Sequence, residues 1–107
     1  MHIFDAAVVS ARPGEADLSF RAHNAGSETD RLLSAACACD AEVEIEGALT
    51  IAPEEEVEVV PGGVPALRLA GLANRPRVGD VITVTLTFEL AGDVIAHAEV
   101  RRAQSGR

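Results

Sequence analysis

Ile82-Thr83-Val84-Thr85-Leu86-Thr87-Phe88-Glu89-Leu90 alternates without a break, with aliphatic or aromatic residues at even positions and Thr or Glu at odd ones. Successive side chains of a β-strand point to opposite faces, so this segment reads as a strand with one buried and one wet face. Ala91-Gly92-Asp93 supplies a turn. Alternation then resumes from Val94 to Arg102, with Val94, Ala96, Ala98 and Val100 facing away from His97, Glu99 and Arg101. The two segments predict a C-terminal hairpin.

The same period recurs upstream. Leu18, Phe20 and Ala22 alternate with Ser19, Arg21 and His23 before the turn residues Asn24-Ala25-Gly26-Ser27. Arg31 to Ala36 continues as a strand, Glu42-Val43-Glu44-Ile45-Glu46 alternates strictly, and Glu56 to Val60 does so loosely. Pro61-Gly62-Gly63 breaks the chain before a strand over Val64 to Ala70, and Gly71 to Asp80, with Pro76 and Gly79, reads as a connecting loop. Turn signals recur at roughly the 8–12-residue spacing of a sandwich or barrel, and no stretch carries a helical period. The expectation is an all-β sandwich of about seven or eight strands, formed by residues 1–107 as a single domain.

Hydrophobic residues make up 48% of the chain and aromatics only 3%, so the core must be aliphatic. Seventeen acidic residues against nine basic ones, all Arg, give a net charge of −8. Such a surface repels nucleic acid and anionic membranes, and no basic cluster or stacking platform offsets the repulsion. The opening MHIFDAAVVSARP contains only Ala6 to Val9 as an apolar run, too short for a signal-peptide core or a spanning helix, so membrane insertion is not expected. Two cysteines are too few for a secreted disulfide framework and do not fix the compartment.

Those cysteines stand in Cys37-Ala38-Cys39-Asp40. If a strand ran unbroken into Val43 and Ile45, Cys37, Cys39 and Ala41 would share the apolar face and Asp40, Glu42, Glu44 and Glu46 the other. Three readings stand: small core fillers, a Cys-x-Cys disulfide, or thiolate ligands for copper(I) or zinc(II) with His23 as a third donor. His97 reads as a surface imidazole and His2 as a terminal residue. Glu54-Glu55-Glu56, Glu58, Glu42, Glu44 and Glu46 form either a docking face or a solvated exterior that keeps sheet edges apart. No nucleophile elbow, zinc-protease helix motif or phosphate-cradling loop is present, and Glu46 with Arg68 reads as a salt bridge, so the chain is not expected to be an enzyme.

The order of motifs resembles the periplasmic copper chaperones of the PCuAC type. Asp5-Ala6 with Arg12-Pro13-Gly14 is similar to the family's opening. Phe20 through Asn24-Ala25-Gly26 with Asp30-Arg31-Leu32 resembles its first hairpin, and Val43-Glu44-Ile45 its "VEL". Pro61-Gly62-Gly63 with Gly71-Leu72 resembles "PGG…GL", and Gly79-Asp80 with Thr85-Leu86-Thr87-Phe88 resembles "GD…TLTF". The resemblance implies a cupredoxin-like Greek-key sandwich that binds copper(I) through His and Met and passes it to a protein partner, toward the copper centre of cytochrome oxidase. Its ligands are missing here: Glu46 stands at the His position, Ala66 and Arg68 at the His-x-Met positions, and Met1 is the sole methionine. A carboxylate is a poor donor for a soft ion, and a guanidinium puts positive charge where the cation should sit.

Two functions follow. One is a copper chaperone-like protein whose metal binding has been rewired to Cys37 and Cys39, with His23. The other is a metal-free interaction module using an acidic sheet face. The resemblance implies a periplasmic location once a leader is removed, whereas the chain read as complete is cytoplasmic, with reduced thiols. Nothing in the sequence fixes an oligomeric state.

Overall fold

A strand with one apolar face must cover that face, and among the described residues nine strands do so against one another. A computed structural model of the chain describes residues 1–12, 15–39, 41–71 and 77–102. The strands are β1 (His2–Arg12), β2 (Glu15–His23), β3 (Asp30–Cys37), β4 (Glu42–Glu46), β5 (Thr50–Ile51), β6 (Glu56–Val59), β7 (Ala66–Ala70), β8 (Val81–Phe88) and β9 (Gly92–Arg102). Their lateral order is β4-β7-β2-β1-β9-β8-β3-β5, with β6 also paired to β2. The path curls until β3 and β4, near its two ends, pack against each other, closing a two-layered all-β structure. No helix occurs among the described residues.

The core is aliphatic around two aromatics, as composition predicts. Phe20 and Phe88 are each 1% exposed, with Leu18, Leu67, Leu69 and Leu86 buried around them. Each such side chain contributes about 1.5–3 kcal/mol on burial. Inward positions follow the alternation: Ala16, Leu18, Phe20 and Ala22 on β2, Val84, Leu86 and Phe88 on β8, and Ala96, Ala98 and Val100 on β9.

Three details differ from the expectations. The strand from Ile82 ends at Phe88, the turn occupies Glu89–Ala91, and Gly92 opens β9 at φ 76°, a conformation that glycine adopts freely. Leu90 is therefore 57% exposed instead of core. The two-residue β5, too short for any period to register, pairs with the start of β3. After Pro61-Gly62-Gly63 the strand begins at Ala66, following a cis Val64–Pro65 bond. Gly71 and residues 77–80 are irregular, as a connecting loop should be; the rest of that loop, with Pro76, lies outside the described residues.

β1 organises the molecule. It pairs antiparallel with β2 along its length and parallel with β9 from Ala7 to Ser10. Between Phe4 and Ala7 its register shifts, and Asp5 there takes φ 55°. The irregularity turns both Ala7 and Val8 inward, 2% and 0% exposed, which is why this strand shows an apolar run and not an alternation.

Candidate functional site

The sites that the resemblance points to come together on the outer face of β4 and β7. Glu46 is opposite Ala66, and Glu44 is opposite Arg68. With Ile45 they line a depression of about 260 Å³. The chemistry does not suit copper(I). Arg68 Nε lies 3.6 Å from Asp17 Oδ1 on β2, so the guanidinium holds this surface as an ion pair. The expected Glu46–Arg68 bridge gives way to that pair, because β2 places Asp17 directly opposite Arg68.

The cysteines are joined. Cys37 and Cys39 form a disulfide with Cα atoms 5.1 Å apart. Both are half-buried and pack against the core, as do Val43 and Ile45, while Ala38, Glu42, Glu44 and Glu46 are exposed. The parity predicted for one unbroken strand thus survives, although the strand itself breaks: β3 ends at Cys37, the chain bends, and β4 starts at Glu42 on another part of the sheet. Asp40 lies outside the described residues. The expected three-ligand site of Cys37, Cys39 and His23 is not assembled. β2, which carries His23, is separated from β3 by β1, β9 and β8 in the sheet order, and each sulfur is bonded to the other. Among the described residues, no three His, Cys, Asp or Glu side chains converge as metal ligands.

His23 has a different companion. In the β1–β2 ladder it stands opposite His2, and the two imidazoles lie nearly parallel, 16° between planes, with centroids 6.5 Å apart. His23 Nε2 is also 3.9 Å from Glu54 Oε1. Backbone bonds place that carboxylate: Glu54 N–H donates to the Asn24 carbonyl at 2.7 Å, and Asn24 N–H donates to the Glu55 carbonyl at 3.0 Å. Glu54 takes φ 62° in doing so, a left-handed conformation costing a non-glycine residue roughly 1–2 kcal/mol. Nearby, Arg21 contacts Glu58 at 3.6 Å and Asp5 and Glu56 at 4.0 Å.

His2 is the residue that sequence reasoning missed. Arg12 pairs with Glu15, so an unbroken antiparallel ladder would put Ala25 opposite His2. Two register shifts, each of one residue, bring His23 there instead. Alternation places His23 on the outer face, but only the shifts give it a partner.

The motif residues that carried the resemblance are structural pins. Asn24, 4% exposed, donates its amide to the Glu28 and Ile51 carbonyls at 2.8 and 2.9 Å and accepts from Gly26 N–H at 2.9 Å. The Asp30 carboxylate, on a residue 3% exposed, accepts from the N–H groups of Arg31, Leu90 and Ala91 at 2.8–2.9 Å. Burial raises the affinity of Asp30 for its proton, but the three N–H donors outweigh it and hold the carboxyl below its ordinary value.

Comparison with known proteins agrees with this architecture. The model of the family described as "Putative lipoprotein LpqE-like" matches residues 2–100. No curated protein matches the chain. Among solved structures, the copper-bound PCuAC domain from PmoF2 superposes with a TM-score of 0.82 at 26% identity, covering 94% of this chain and 92% of that one. The apo PmoF2 PCuAC domain gives 0.78 at 24%, covering 96% and 90%. The apo PCuAC domain from PmoF1 gives 0.82 at 21%, covering 95% and 100%. With its all-strand curled sheet and a family match over nearly its whole length, the chain belongs to the LpqE-like family, of the PCuAC type.

Proposed function

We propose that this protein is a copper-carrying module that holds its cargo between His2 and His23. The observation that carries the reading is their placement directly opposite each other in the β1–β2 ladder, with ring centroids 6.5 Å apart. The rings are stacked and imidazole nitrogens bind metals in the ring plane, so side-chain rotation would turn one nitrogen of each toward an ion between the paired positions, at about 2.0 Å from each. Water completes the coordination. Imidazole and water suit copper(II) better than the copper(I) that a Met-containing site would select. The copper bound by the PmoF2 domain supports the choice of metal, and the acidic surround favours approach of a cation. The protein acts as a carrier and not a catalyst, passing the ion to a protein acceptor in copper trafficking, for which the copper centre of cytochrome oxidase is the candidate. The family's description as lipoproteins supports a location outside the cytoplasm, where a disulfide persists.

Copper(II) titration with electron paramagnetic resonance tests this. Wild type should bind one ion per chain with nitrogen hyperfine structure, and His2→Gln and His23→Gln should each weaken binding at least tenfold with unchanged circular dichroism. Equal binding by the variants, or none by wild type, would overturn the reading. In that event the second function would stand, an interaction module presenting Glu42, Glu44, Glu46, Glu15 and Asp17. These residues line one outer face of β4 and β2 around a single Arg68.

A further inference from the structure

We propose that Cys37 and Cys39 form a second, redox-gated site that takes a soft monovalent cation, copper(I), once their disulfide is reduced. The site uses none of the residues assigned above, so it stands or falls separately from the His2–His23 pair.

The bond does little for the fold. A cross-link stabilises mainly by shortening the open loops of the unfolded chain, and one spanning a sequence separation of 2 closes almost the smallest ring available. Its position serves chemistry better. Cys37 is the last residue of β3, opposite Val84 in the ladder, and the next residue is tied down by Ala38 N–H donating to the Thr83 carbonyl at 2.9 Å. Cys39 follows in a bend beyond the strand end, held on the same face. The bend brings the two Cα atoms to 5.1 Å, closer than the roughly 6.6 Å that two residues of extended strand span. Both sulfurs are half-buried, accessible to a small thiol yet backed by the aliphatic core.

Opening the site is a balanced exchange. A dithiol reductant supplies two electrons and two protons, the Sγ–Sγ bond breaks to give two thiols, and the reductant closes its own disulfide. Copper(I) then displaces both thiol protons to solvent and forms two Cu–S bonds. The number of donors decides the metal. Zinc(II) in a structural site requires four ligands, and among the described residues no third His, Cys, Asp or Glu joins the cysteines. Two thiolates alone match a soft ion that accepts low coordination.

The test is anaerobic competition for copper(I) against a chromophoric chelator, run on protein already carrying His2→Gln and His23→Gln so that the imidazole pair cannot contribute. Dithiothreitol-reduced, desalted protein should withdraw one copper(I) per chain, with thiolate-to-copper absorption in the ultraviolet. Oxidised protein, a Cys37→Ser/Cys39→Ser variant, and reduced protein capped with iodoacetamide after folding should withdraw none. Equal uptake by the reduced and oxidised forms would overturn the proposal, as would uptake surviving the capping or no uptake by the reduced form. Because capping follows folding, misfolding of the serine variant cannot mimic the expected result.

Discussion

Asp30 shows how a residue can be prominent in a sequence for reasons unrelated to chemistry. Its carboxylate joins the start of β3 to the β8–β9 turn by accepting from Leu90 and Ala91, sixty positions away. Asp30→Ala leaves those N–H groups without their charged acceptor and is expected to cost about 2–3 kcal/mol in urea unfolding. The pH dependence has a definite sign. The folded carboxyl binds its proton less tightly than the unfolded one, so its contribution is complete above the ordinary value of 3.8 and is lost as pH falls through the lower folded value. Wild type should therefore lose stability more steeply than Asp30→Ala over that acidic window, and parallel curves would refute the assignment. The Asn24-x-Gly26 and Asp30-Arg31-Leu32 spacing was legible as a pattern. The bonds from Asn24 to Ile51 and from Asp30 to Leu90 and Ala91 were not, because those partners are distant in sequence.

Among the elements, legibility tracked how regular a strand's ladder is. β8 and β9 have one wet face each, and their alternation named nearly every buried residue in advance. β1 carries a register shift at Asp5 that turns both Ala7 and Val8 inward, so its apolar residues run together, and the His2–His23 pairing that the shifts create could not be read from spacing. The acidic alternation of β4 was plain, and its edge position explains it: strand charges discourage pairing with another chain. Turns offer a sharper test. Gly47, between β4 and β5, has φ 83°, and an added Cβ would meet Val64 Cγ1 at 2.8 Å. Gly62 has φ 79° with nothing within 4 Å of the same atom. Both Ala variants incur the left-handed penalty of roughly 1–2 kcal/mol, so Gly47→Ala should be the more destabilising in thermal melts. Equal losses would show that Val64 yields without cost.

At the scale of the whole molecule, the aliphatic core and the all-β architecture were legible because composition and period both pointed to them. The site was legible only in part. Positions 46, 66 and 68 do converge on one face, yet with donors unsuited to copper(I), and the sequence could not reveal that Cys37 is kept from His23 by three intervening strands. The side-by-side course of the first and last strands has a mechanical consequence. They run in the same direction, Ala7 beside Glu99 through Ser10 beside Arg102, so the start of β1 and the end of β9 lie at opposite poles. Tension applied to those ends loads the rungs between them together, in shear, and cannot peel them one at a time. Single-molecule stretching should accordingly show one high rupture peak, and pulling instead from Val81 and Glu99, paired at the open end of the β8–β9 hairpin, should unzip that hairpin at much lower force.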